Sequence, residues 1–427
     1  MTDLERILPL WRELETAGAE YVLATVVAVE GPSYRKPGAH MLLAQDGRRA
    51  GTVSGGCLEA EVARRAWWLT AQGPVVERYS TAEDDGERPY GSGCGGVVFI
   101  LLERRQTAGP LLAALEPAFS KREPLGIATI LEGPRIGQRA FAGPDTPELP
   151  GASSLRLFFE EIPGAMVGNR ETPSAGLART QRVEGTAVRP SGTSPEDCGT
   201  QRETPDGELQ DMANLALKHR SSMEGVLSID NAPTHARADY CRARPGLWVF
   251  GAGDDAKPLV RLARELGWFV AVADGRSNLA TRERFPEADL VRVLPAADEN
   301  GAEPLAYGIK STDAAVAMAH SFEQDARVLA ALLALDSPPF YIGALGPRRR
   351  TRELVAEAAQ PPGGTGSHNS VERWMEQVHA PMGLDLGGEE PASIALSILA
   401  EIQQVLAQST GLPLGQVRGE MPAAARH

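Results

Sequence analysis

Cysteine is scarce in this sequence: four residues in 427, at positions 57, 94, 198 and 241, and none of them in a CxxC pair. So long a chain does not need disulfides to hold a core, and without CxxC spacing there is no signature of a structural zinc site. Long apolar runs are missing too. Nothing approaches the roughly 18 residues of a membrane-spanning helix, and the opening MTDLERILPLWREL lacks the charged-then-apolar pattern of a secretory signal. Positive charge is in deficit, 43 Lys and Arg against 56 Asp and Glu, a net charge of -13. That balance argues against a general role on nucleic acid or on an anionic membrane surface. Together these absences predict a cytoplasmic protein with reduced thiols, no nucleic-acid partner and no membrane insertion.

What is present is an alternation of strand-like and helix-like segments in two regions, and at this length two domains are the expectation. Leu4, Ile7, Leu8, Trp11 and Leu14 recur at helical spacing. YVLATVVAVEG (21–31) is a β-branched run, HMLLAQDGRRAGTV (40–53) reads as a hairpin turning at Asp46-Gly47, and LEAEVARRAWWLTAQ (58–72) has helical spacing. GVVFILLE, PLGIATILEG and LRLFFEEI read as further strands. This predicts an α/β domain with a mixed sheet over residues 1–162. From 163 to 244 the chain becomes rich in Pro, Gly, Ser, Thr and charge, which predicts a flexible insertion or linker, with one short helix over 208–220.

Order returns at LWVFGAGDDAKPLVRLARELGWFVAVADGR (247–276), a strand, a glycine turn, a helix and a strand ending in an acid. Gly251, Gly253 and Ala256 fit the GxGxxG/A dinucleotide pattern, and Asp274 stands about 20 residues on, where a ribose-binding acid belongs. This predicts a Rossmann-like, doubly wound parallel sheet over 245–412, with a loose tail over 413–427. Glycine is wanted in the turn because a phosphate reaches the backbone amides only when no side chain intervenes. NAD(P) therefore stays open as a ligand, with Arg276 beside Asp274 able to select a 2′-phosphate. Asp254 and Asp255 weigh against it by placing negative charge at the phosphate position. Ligands of open α/β sheets bind beyond the carboxyl ends of the strands, so Gly251, Asp274, His320, Gly343 and Arg348 are expected on one rim. The arginines of PRRR point to an anionic ligand there.

Two short stretches remain: GTVSGGCLE (51–59) and GSGCGG (91–96), each with a cysteine among residues that have almost no side chain. With VEGPSYRKPGAHML, LWVFGAGDDAKPL, AMAHSFEQDARVL, YIGALGPRRR and PMGLDLGGEEPASIALSILAEI, they make the sequence resemble the xanthine dehydrogenase accessory protein family, XdhC/CoxI. The resemblance implies a maturation factor rather than a catalyst: a protein that binds the molybdenum cofactor, holds it while a cysteine desulfurase supplies sulfur, and passes it to the apo-enzyme of a molybdenum hydroxylase. It implies molybdopterin contacts from Ser54, Gly55, Gly56, Cys57, Glu59, Gly93, Cys94, Gly95 and Arg35, with Cys57 and Cys94 facing metal or sulfur. The chain departs from the family at Asp254, where the turn commonly carries histidine, at Ala319, where a threonine is usual, and in the intervening residues 163–244. An NAD(P)-dependent oxidoreductase and a nucleotide-sensing binding module are the alternatives. The commonness of twofold oligomers makes a homodimer the expected assembly.

Overall fold

The computed structural model describes residues 2–80, 96–144, 156–159, 205–229, 232–295, 308–359 and 368–417. The chain divides into two compact units, one from Asp3 to Ala243 and one from Arg244 onward together with the first two residues.

The first unit holds two five-stranded sheets, antiparallel in every described pairing. One contains β1 (Tyr21–Glu30), β2 (His40–Ala44), β3 (Arg49–Gly51), β4 (Val75–Ser80) and β5 (Val97–Arg104), in the order β3-β2-β1-β5-β4. Side chains of a strand point alternately to its two faces, and β1 is apolar on both because both are covered. Tyr21 and Leu23 pack with Ile7, Leu8, Trp11 and Leu14 of α1 (Asp3–Thr16) and with Leu111 and Leu112 of α3 (Arg105–Lys121). Val22, Ala24 and Val26 pack with Val62 and Ala66 of α2 (Glu59–Leu69). The hairpin turning at Asp46-Gly47 is present, joining β2 to β3.

The second sheet revises the reading of 163–244 as one flexible insertion. Residues 160–204 lie outside the described residues, but α4 (Pro205–His219), β9 (Met223–Ile229) and β10 (Ala232–Cys241) are regular structure. They join β6 (Leu125–Ile130), β7 (Arg139–Ala142) and β8 (Arg156–Phe159) in the order β7-β6-β10-β9-β8. Leu209, Met212, Ala213 and Ala216 of α4 bury against Ala128, Ile130, Leu227 and Ala236. The physical signal was a period-2 alternation, Met223, Gly225, Leu227 and Ile229 inward, too short to stand out beside the polar stretch before it.

The second unit is a six-stranded parallel sheet of β11 (Gly246–Phe250), β12 (Phe269–Asp274), β13 (Leu290–Val293), β14 (Asp313–Ala317), β15 (Tyr341–Ala344) and β16 (Val378–His379). Its order, β13-β12-β11-β14-β15-β16, is the doubly wound Rossmann arrangement, with the direction of winding reversing between β11 and β14. Helices cover both faces. Trp248 and Phe250 bury with α6 (Phe322–Leu333) and α7 (Arg348–Ala358), while Leu247 and Val249 bury with α5 (Ala256–Glu265) and α8 (Pro391–Ala407).

Candidate functional site

In the first unit, strand register decides which loops can share a site. Glu30 at the end of β1 pairs with Val97 at the start of β5, which also pairs with Ser80 at the end of β4. His40 at the start of β2 lies beside Thr25, and Gly51 at the end of β3 lies beside Met41. The loops 31–39, 52–58 and 81–95 therefore all leave one end of one sheet. The glycine-cysteine sequence at Gly93, Cys94 and Gly95 lies outside the described residues. Its anchor does not: a Cβ at Gly96 would collide with the Pro32 carbonyl, so the base of that loop is seated on the 31–39 loop.

The loop around Cys57 is built on Ser54 and Glu59. Glu59 is 4 % exposed. Its Oε1 accepts from the amides of Ser54 (2.8 Å) and Val53 (3.2 Å), and its Oε2 accepts from Ser54 Oγ at 2.6 Å. Burial opposes the charge on this carboxyl, but these hydrogen bonds outweigh it and hold Glu59 below its ordinary value. The Ser54 hydroxyl also accepts from the amides of Gly56 and Leu58, each at 3.1 Å, and from the Cys57 thiol at 3.5 Å. Gly56 has φ 113, with open space where a side chain would stand. Cys57 is thus a free, half-buried thiol held just before the first turn of α2.

Two residues of the 31–39 loop face this arrangement. Arg35 ion-pairs with Asp3, and its Nε is buried with no partner among the described residues. Burial pushes the guanidinium below its ordinary value while the charge of Glu59 works the other way, which puts the two groups within electrostatic reach. Tyr34, 74 % exposed, lies with its ring against Gly55, where a Cβ would sit 3.4 Å from Cγ. Sequence reasoning missed Tyr34, because the contact with Gly55 is a matter of tertiary structure and no motif announces it.

In the second unit the expected rim exists at the carboxyl ends of the strands. Gly251 has φ 139, and a Cβ there would sit 2.5 Å from the Met318 carbonyl oxygen, so the turn after β11 requires glycine. Asp274 is fully buried; its Oδ2 accepts from the Ala252 amide and its Oδ1 from the Arg276 amide, each at 2.8 Å, and the Arg276 side chain closes a fork on it at 2.9 and 2.7 Å. Burial disfavours its charge, but the hydrogen bonds from Arg276 and Ala252 prevail and lower its pKa. Gly253 stands beneath the Asp255 carboxylate. His320 Nε2 lies 3.0 Å from Asp255 Oδ2. Asp254 pairs with Lys257 at 2.7 Å and Arg284 at 3.0 Å.

Of the remaining expected rim residues, one sits inside a strand. Gly343 is inside β15, where a Cβ would press on the Tyr341 ring and on Met382 Sδ, so its lack of a side chain serves packing. Arg348 is exposed at the first turn of α7. Its neighbour Arg350 turns inward to Asp325, 2.7 Å away, whose other oxygen accepts from the Ala319 amide at 3.0 Å. Among the described residues no group of three His, Cys, Asp or Glu side chains is placed to hold a metal ion, and no helix is long and apolar enough to cross a membrane.

Comparison with known proteins places both halves. Residues 247–402 match the family model described as the XdhC Rossmann domain, and residues 14–80 match that of the XdhC and CoxI family. The chain is 29 % identical over 388 residues to a Bacillus subtilis protein named as a probable xanthine dehydrogenase subunit, covering 90 % of this chain and 93 % of that one. It is 35 % identical over 137 residues to the Escherichia coli molybdenum cofactor insertion chaperone PaoD, covering 30 % of this chain and 40 % of the relative. A crystal structure from Bacillus halodurans, described as a xanthine dehydrogenase, superposes with a TM-score of 0.60 at 24 % identity, over 98 % of this chain and 99 % of that one. That last likeness shows the fold alone.

Proposed function

As the chain belongs to the XdhC and CoxI family, we propose that it is an accessory protein in the maturation of molybdenum enzymes, holding the molybdenum cofactor at the glycine-cysteine end of its first sheet. The observation that supports this reading is that the loops bearing Arg35 and Cys57 meet at one end of this sheet, where β4 also ends and β5 begins, so that the stretch bearing Cys94, itself outside the described residues, is anchored at the same end. The similarity to PaoD supports the cofactor, and the similarity to the Bacillus subtilis protein supports a xanthine dehydrogenase type of client.

The residues present suit such a ligand. Molybdopterin, when bound, supplies a planar ring, a phosphate and a sulfur-held metal. Tyr34 presents one open ring face, the other being against Gly55; aromatic faces take flat rings well. Arg35 has an unused buried donor, and Lys36 beside it is exposed, so both offer charge to a phosphate. Gly56 leaves room for backbone approach. Cys57 offers a thiol to a soft metal or its sulfur, and Ser54 with Glu59 fixes where that thiol stands. No acid-base step is needed of these groups, which hold and orient.

In the full reading the protein works in the cytoplasm as a symmetric dimer, keeps the cofactor shielded while a cysteine desulfurase supplies sulfur, and delivers it to a molybdenum hydroxylase. The test is transfer. Protein purified without oxygen from a host that makes the cofactor is mixed with an apo molybdenum hydroxylase. Hydroxylase activity should appear in proportion to the protein added, and Cys57→Ser should reduce the yield. Failure of the loaded protein to activate any apo-hydroxylase would remove the delivery role.

A further inference from the structure

The pyrophosphate of a dinucleotide approaches a turn of the GxGxxG/A type at its second glycine, over the first turn of the following helix. Here those are Gly253 and α5. The space that Gly253 leaves open is already filled: a Cβ at that position would run into Asp255 Oδ1. A carboxylate from two residues further on stands where the phosphate would enter.

Asp255 is held there from outside its own loop. His320 bonds its other oxygen at 3.0 Å from a left-handed backbone, φ 60, which a non-glycine residue adopts only under constraint. The constraint is visible next door, where Asp325 binds the Ala319 amide at 3.0 Å and is itself locked by Arg350 at 2.7 Å. The ribose end is closed as well. Asp274, fully buried, already receives the Ala252 amide, the Arg276 amide and both arms of the Arg276 fork. The basic groups beside the turn, Lys257 and Arg284, are engaged by Asp254.

We infer that the Asp255 carboxylate is the built-in occupant of the phosphate position in this turn, and that the Rossmann half is closed to NAD(P) by it. The glycine spacing persists because Gly251 must let the backbone pass Met318 and Gly253 must make room for Asp255. The inference concerns the second unit alone and stands whether or not the first unit holds a pterin.

The experiment is a fluorescence titration of NADH and NADPH against the full chain, its Asp255→Ala and Asp255→Asn variants, and Asp254→Ala, with melting curves on each preparation. Wild type should show no saturation into the millimolar range, and Asp255→Ala should gain at least about tenfold in affinity, since a like charge facing a bound phosphate is strongly unfavourable. Asp255→Asn, which keeps the shape and removes the charge, should gain less and carries the test if the alanine variant fails to fold. Asp254→Ala, which frees Lys257 and Arg284 but leaves the Asp255 carboxylate in place, should gain clearly less than Asp255→Ala. Micromolar binding by wild type, no gain in a folded Asp255 variant, or an equal gain in Asp254→Ala would each overturn the inference.

Discussion

The Ser54 hydroxyl donates to the Glu59 carboxylate at 2.6 Å, and the same oxygen accepts from the amides of Gly56 and Leu58 and from the Cys57 thiol. One small side chain therefore organises the whole loop that carries the candidate cofactor thiol. Ser54→Ala would leave two amides without their acceptor and a buried carboxylate short of a donor, at a cost of about 1–3 kcal/mol. Denaturant unfolding should read that loss, and retained pterin should fall with it. An unchanged midpoint would mean that the loop does not depend on this hydroxyl.

Tyr34 separates a ring-stacking role from a polar one. Tyr34→Phe keeps the exposed face over Gly55 and should retain cofactor as wild type does. Tyr34→Ala should weaken retention roughly two- to tenfold, the usual worth of an aromatic contact. Equal loss in both variants would assign the effect to the hydroxyl.

His40 predicts the acid limit of the first unit. It is buried beside Thr25, Nδ1 to Oγ1 at 3.0 Å, and burial, reinforced by the charges of Arg139 and Arg35, lowers its pKa from 6.5 to about 4. The unfolded chain therefore takes up a proton below pH 6.5 that the folded chain refuses until about pH 4. Stability falls as the pH drops through that window, by about 2 kcal/mol between pH 7 and pH 5 from this group. Urea midpoints at the two values should differ accordingly, and His40→Gln should shrink the difference.

The place of α4 in the first unit rests on close packing over Gly126, where a Cβ would collide with the Ala213 carbonyl. Gly126→Ala should destabilise the first unit by about 1–3 kcal/mol, as overpacking does. A neutral substitution would argue that α4 does not lie on this sheet.

What the sequence disclosed follows from the range of each interaction. Strand β1, apolar but for Thr25 and Glu30, and the turn at Gly251, with its strand before and helix after, are local patterns and could be read directly. β9 and β10 were hidden because a seven-residue alternation beside a polar stretch is outweighed by its surroundings. The rim at Gly251, Asp274 and His320 was placed correctly by topology, but the engagement of Asp274 by Ala252 and of Asp255 by His320 joins residues 22 and 65 positions apart. Charge at Asp255 was legible as an obstacle to phosphate; its seat over Gly253 was not. Tyr34 belonged to no pattern until Gly55 was found beneath it.

The proposed role has the first unit hold the molybdenum cofactor through its glycine-cysteine loops. The most direct measurement is the molybdenum and oxidised-pterin content of protein purified without oxygen from a cofactor-producing host, for wild type and for Cys57→Ser and Cys94→Ser. Near-stoichiometric pterin is expected in wild type, with a marked loss in both variants. Pterin-free wild type, or variants that retain as much pterin as wild type, would contradict it.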